Sequence, residues 1–282
     1  MDLDWGTRTT VTIPIGTLDV RVAGPETGEP VILLHGFPET SLSWAAVAPA
    51  LVDAGYRVIA PDQRGYSPGA RPDGTEQYAT RAIAQDVVDL ADALGLDTFH
   101  LVGHDWGSAA AWVTAADHGH RLRTLTAVSV PHLAAFNRAL REDQDQREGS
   151  SYFELFRTEG KAERVLLEDD ARRLRTFYEG KIPDEAVEEY VRILSEPGAL
   201  TAALSWYRAM GRDLVDLPSV TMPTTFVWST ADHALRRYGA ELCAQYVDAD
   251  YRFVEIEGVS HWIAEEAPDQ LSAAILDRVR DA

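Results

Sequence analysis

The chain has 282 residues, 45% of them hydrophobic, with 45 acidic side chains against 26 Lys and Arg and a formal net charge of -19. That length and apolar content can fill a sizeable core, and the acidic surplus disfavours phosphate backbones and anionic lipids, so no nucleic acid and no membrane partner is expected. No apolar run approaches the roughly 18 residues a spanning helix needs.

The first five residues, Met1-Asp2-Leu3-Asp4-Trp5, lack the basic and apolar regions of a signal peptide. Cys243 is the single cysteine, so no internal disulfide can form, and a reducing cytoplasm is the expected setting. The His118-x-His120 pair is isolated and reads as surface, so no metal is expected.

Taken in chain order, short apolar runs predict strands at 9–15, 18–22, 30–34, 57–60, 98–102, 125–130, 225–229 and 252–256. Helical patterns fall between them. Over 78–94, Ile83, Val87, Leu90 and Leu94 recur at three- and four-residue spacing, and Gly95 can end the helix. Residues 109–116 are small enough for a helix to lie close on a sheet, and 270–279 closes the chain with another amphipathic pattern. Strands alternating with helices predict a mostly parallel eight-stranded sheet flanked by helices. The rhythm breaks over 132–217, which has helical patterns, charge runs and no convincing strand. We read 1–131 and 218–282 as two parts of one α/β core and 132–217 as an inserted all-helical cap.

Four stretches follow predicted strands, where open parallel sheets gather their sites. At 103–108 the chain reads Gly-His-Asp-Trp-Gly-Ser. This is the spacing of a nucleophile elbow, G-x-S-x-G, with Asp105 in place of serine. The replacement selects the chemistry. A carboxylate with a reference pKa of about 3.9 is already ionised at neutral pH. It can displace a leaving group from saturated carbon, and the ester that results has a carbonyl water can attack. Serine would leave an ether. At 35–39 the chain reads His-Gly-Phe-Pro-Glu, a tight turn that can aim the Phe37 amide into the site; with the Trp106 amide it would form an oxyanion hole. Asp232 and His261 each follow a late strand, and the order nucleophile, acid, histidine matches the order of this kind of triad.

On these motifs, HGFPE at 35–39, GHDWGS at 103–108, Asp232 and the histidine of GVSHW, the chain resembles the epoxide hydrolases of the α/β-hydrolase fold over nearly its whole length. The resemblance implies two tyrosines in the helical cap that hydrogen-bond the epoxide oxygen. The run 204–210 resembles the segment carrying one, which places it at Tyr207; the run 151–160 resembles the other, at Tyr152, with Tyr178 as the alternative. Tyrosine suits the task, because a phenol with a pKa near 10 stays protonated at pH 7 and can give its proton to a nascent alkoxide. Trp106, Phe153, Trp206 and Trp262 are the expected pocket walls, and Glu39 is a candidate for holding the hydrolytic water. The implied substrate is a small apolar epoxide, handled without a cofactor by a monomer or homodimer. Haloalkane dehalogenases share the Asp elbow and remain an alternative, as does a non-catalytic binding protein of the same fold.

Overall fold

The computed structural model describes residues 3–178, 180–211 and 216–281. Eight strands, β1 (Thr7–Ile13), β2 (Gly16–Ala23), β3 (Pro30–Leu34), β4 (Arg57–Pro61), β5 (Phe99–His104), β6 (Leu122–Val128), β7 (Thr224–Ser229) and β8 (Tyr251–Ile256), form one sheet in the order β1-β2-β4-β3-β5-β6-β7-β8. β1 pairs antiparallel with β2, and β2 with β4; every later pairing is parallel. The predicted strands are all present, the third at its expected ends and the others with shifted ends. The first runs two residues earlier than expected and turns at Pro14–Ile15 into β2. β6 starts earlier and stops before Ser129, whose φ of 66° takes it out of extended geometry.

The helices are α1 (Ala48–Asp53), α2 (Thr80–Ala93), α3 (Trp106–His118), α4 (Leu133–Glu142), α5 (Gln144–Gly149), α6 (Phe153–Phe156), α7 (Lys161–Thr176, interrupted at Glu168–Ala171), α8 (Asp184–Leu194), α9 (Ala199–Ala209), α10 (Arg237–Leu242), α11 (Ile263–Glu266) and α12 (Pro268–Arg280). Both faces of the central strands are buried, which is why they read as continuous apolar runs rather than alternating ones. In β3, Ile32 and Leu34 pack with Ile83, Val87 and Trp112, while Val31 and Leu33 pack with Leu51, Leu271 and Ile275. All four are fully buried, and truncating one to alanine would cost about 2–5 kcal/mol.

Helices α4 to α9 lie between β6 and β7 in the chain, and no strand interrupts them among the described residues. No described helix is long and apolar enough to cross a membrane. The carboxyl ends of β3, β5, β7 and β8 carry the His35–Glu39 turn, Asp105, Asp232 and His261 respectively.

Candidate active site

Asp105 forms the joint between β5 and α3 with φ 52° and ψ -119°, a conformation an L-residue rarely adopts. The neighbouring glycines make the joint possible. A Cβ on Gly103 would lie 2.2 Å from the Gly107 carbonyl oxygen, and one on Gly107 would lie 2.1 Å from that of Leu34. A Cβ on Gly36 would lie 2.4 Å from the Asp105 Cβ, so the turn after β3 can approach the carboxylate only as glycine. The Gly36–Glu39 turn closes with a 3.1 Å bond from the Glu39 amide to the Gly36 carbonyl. That turn aims the Phe37 amide at Asp105, and it donates to Oδ1 at 2.9 Å. Trp106 opens α3, where a helix leaves its first amides without internal partners.

His261 is delivered from the other side. The loops after β7 and β8 are tied together by the Ala231 amide to the Val259 carbonyl at 3.1 Å and by Ser229 Oγ to the Ser260 carbonyl at 2.7 Å. Asp232 Oδ1 accepts from the amides of Ala234 and Leu235, at 2.8 and 2.9 Å, and Oδ2 accepts from His261 Nδ1 at 2.8 Å. With Nδ1 committed, Nε2 faces Asp105 Oδ2 at 3.6 Å. Burial opposes the charged imidazole, but the carboxylates of Asp232 and Asp105 outweigh it and hold His261 well above its ordinary value. Burial likewise works against an ionised Asp105, and the adjacent His261 reverses that, so the carboxyl titrates below its usual range. The resting site is an ion pair.

Tyr152, at the start of α6, and Tyr207, in the last turn of α9, meet above the carboxylate with ring centroids 6.1 Å apart. Burial and the Asp105 charge keep both phenols protonated far above the ordinary tyrosine range. The Trp106 and Tyr207 rings meet edge to face with centroids 4.9 Å apart. Asp105 and both tyrosines border two cavities. One, of about 190 Å³, is shared with Phe37, Phe177, His261 and Trp262; the other, of about 40 Å³, is walled by Leu133, Phe136, Phe153 and Met210 among others. Trp106 and Phe153 line the smaller cavity and Trp262 the larger. Trp206 lines neither. Its indole N–H donates to the Arg64 carbonyl at 3.1 Å and the ring packs behind Trp106, because at this turn of α9 its side chain points toward the core. Tyr178 is also engaged elsewhere, donating to the Pro38 carbonyl at 2.8 Å and stacking on Tyr190.

A buried cluster beneath the elbow is less legible in the sequence. His104 Nε2–H donates to the His261 carbonyl at 2.9 Å, and burial drives its pKa to about 4, so Nδ1 carries only a lone pair. Glu39 Oε2 sits 3.4 Å from that lone pair, with its carboxyl pushed to about 7 by burial. Burial and the Glu39 charge hold the Glu265 carboxyl well above its ordinary value. Nothing in the spacing of 39, 104 and 265 marks these three as neighbours. The motif HGFPE gave the only hint.

The alpha/beta hydrolase fold family profile matches residues 29–268. Epoxide hydrolase A of Mycobacterium tuberculosis (strain ATCC 25618 / H37Rv) is 33% identical, over 93% of this chain and 95% of that protein. The AB hydrolase superfamily protein YfhM of Bacillus subtilis (strain 168) is 34% identical, over 94% of this chain and 95% of its own. The crystal structure of epoxide hydrolase A from Mycobacterium thermoresistibile superposes with a TM-score of 0.86 at 28% identity, covering 97% of this chain and 98% of the other. The expectation from the motifs is met: the chain belongs to the α/β-hydrolase fold family, among its epoxide hydrolases.

Proposed function

We propose that the protein hydrolyses a small apolar epoxide to the vicinal diol through a covalent ester on Asp105. The observation that carries this reading is that one carboxylate and two protonated phenols face the same cavities, with His261 beside them. Residues 132–217 act as the cap, bringing the tyrosines over the nucleophile and keeping bulk water out.

In the first step Asp105 attacks a ring carbon and the C–O bond breaks; Tyr152 and Tyr207 hold the oxygen, and one of them supplies its proton. Esterification removes the charge of Asp105. That charge is part of what holds His261 protonated, so the imidazolium now releases its proton, which restores the phenol. Neutral His261, oriented by Asp232, then takes a proton from water and the hydroxide attacks the ester carbonyl. The amides of Phe37 and Trp106 stabilise the oxyanion. Collapse frees the diol and regenerates both the carboxylate and the imidazolium. The cavity beside His261 has ample room for that water, which needs only about 10–15 Å³.

Halide release would want N–H donors free at the leaving group. Here the two phenols border the cavities at Asp105, which favours an oxygen leaving group that must be protonated. Turnover of styrene oxide to its diol, without halide release from 1-chlorobutane, tests the choice. Labelling tests the ester. After several turnovers in heavy-oxygen water, label should enter the Asp105 side chain; an unlabelled carboxylate would rule the intermediate out.

A further inference from the structure

Two arginines next to the tyrosine-bearing helices have backbone carbonyls as their partners. Arg157 directly follows α6, and its Nε donates to the Tyr207 carbonyl at 3.1 Å. Arg208 directly follows Tyr207, and its Nε donates to the Phe156 carbonyl at 3.2 Å. Each guanidinium therefore binds the residue that precedes the other. Both carbonyls lie in the last turn of their helix, where the helix itself supplies no donor, and a cation is favoured at the end of α9 by its dipole.

The surroundings mark this as a built arrangement. Arg208 is also paired with Glu163 at 2.9 Å, with the two side chains 6% and 17% exposed. A charge that deep is costly to bury unless its partners are fixed. By contrast, the Arg172–Asp169 pair of α7 has both side chains mostly in solvent, where such pairs contribute little. Glu163 is itself fixed, accepting from the Gly160 amide at 2.7 Å. The Arg157 guanidinium lies over the Phe153 ring at 5.4 Å and reaches Met210 Sδ at 3.3 Å. From Arg208 the chain of bonds continues inward, since the Phe156 amide donates to the Tyr152 carbonyl at 3.2 Å.

We infer that Arg157 and Arg208 are positioning residues for the reaction: by capping each other's helices they set the separation of Tyr152 and Tyr207 above Asp105. This rests on the proposed role of the two phenols as proton donors. Neither arginine borders the two cavities at Asp105, so any effect on chemistry must pass through the tyrosines. The clamp acts on ring opening, which uses both phenols, and leaves ester hydrolysis, which uses His261, untouched.

A double-mutant cycle with Arg157→Met and Tyr207→Phe separates the possibilities, reading single-turnover alkylation and ester hydrolysis with styrene oxide. Arg157→Met should slow alkylation on the order of 10- to 100-fold, the usual consequence of a misplaced catalytic group, with ester hydrolysis within about twofold of wild type. In the Tyr207→Phe background the same substitution should have a much smaller effect, because coupled residues are non-additive. Equal slowing of both steps, or a full additive loss in the Tyr207→Phe background, would overturn the clamp. If Tyr207→Phe alone leaves alkylation unchanged, the proton-donor reading is what fails. Should thermal melts show Arg157→Met unfolded, Arg157→Lys takes its place in the cycle; it keeps the stem and charge but loses the planar fork, and the same non-additivity is expected.

Discussion

His261 Nε2 stands 3.6 Å from Asp105 Oδ2 while its Nδ1 is bonded to Asp232 Oδ2 at 2.8 Å. The first distance is an ion-pair contact and too long for a hydrogen bond. The histidine is thus tied to its orienting acid and only leans electrostatically on the nucleophile. Removing that one charge by esterification is enough to change what the imidazole does.

His261→Gln should therefore form the ester and stall. Intact-protein mass spectrometry with styrene oxide should show one hydroxyalkyl adduct, mapping to Asp105 after digestion, and steady turnover should fall by about 10²–10⁴-fold. Diol production at the wild-type rate would exclude His261 as the base.

The two steps should respond differently to pH. Asp105 titrates below the ordinary carboxyl range in the resting enzyme, so alkylation should be level from about pH 5 to 8. Ester hydrolysis needs neutral His261, whose hold on its proton weakens once the Asp105 charge is gone. Rapid-quench sampling should find more ester accumulated at pH 5.5 than at pH 8. The opposite trend would contradict the base role.

The tyrosines should act on ring opening. Tyr207→Phe removes one of the two phenols that border the cavities at Asp105, and should slow alkylation by about 10- to 1,000-fold, the range of a lost general acid. Tyr152→Phe should do the same less severely or equally, and replacing both should abolish turnover. Stopped-flow tryptophan fluorescence reads the step directly.

Glu39 gives a stability test with a defined sign. Its folded pKa of about 7 is raised from 4.5 by burial. Its contribution is full below the unfolded value and is lost as pH rises through the folded one. Glu39→Gln cannot ionise, so its stability relative to wild type should improve by on the order of 1–3 kcal/mol between pH 4.5 and 7.5. Urea midpoints at the two ends check this; a constant difference would mean that Glu39 does not titrate in that window.

Gly107→Ala should fail outright at the elbow. The added Cβ meets the Leu34 and His35 carbonyl oxygens at 2.1 and 2.6 Å, which are backbone and cannot swing aside. A loss of stability of about 2–4 kcal/mol, with loss of ester formation, is the expected outcome by thermal melt and mass spectrometry.

Much of this was written locally in the chain. Apolar runs of strand length marked the central strands β3 to β7 most clearly, since a strand buried on both faces needs apolar residues throughout. The elbow and the HGFPE turn were legible as short motifs, although only Gly103 answers a demand made within a few residues, from Gly107; Gly107 and Gly36 answer Leu34 and Asp105 across the sheet. Asp232 and His261 could be placed because each follows a strand end. Long-range contacts decided the rest. Trp206 turned into the core rather than the pocket because side-chain direction along α9 depends on how the helix docks. The Glu39–His104–Glu265 cluster and the Arg157–Arg208 clamp join residues 65 to 226 and 51 positions apart in the chain. Local periodicity constrains which face a residue takes; it does not say which other face it will meet. That is settled only when the sheet, its loops and the helices between β6 and β7 pack together and place these side chains among particular partners.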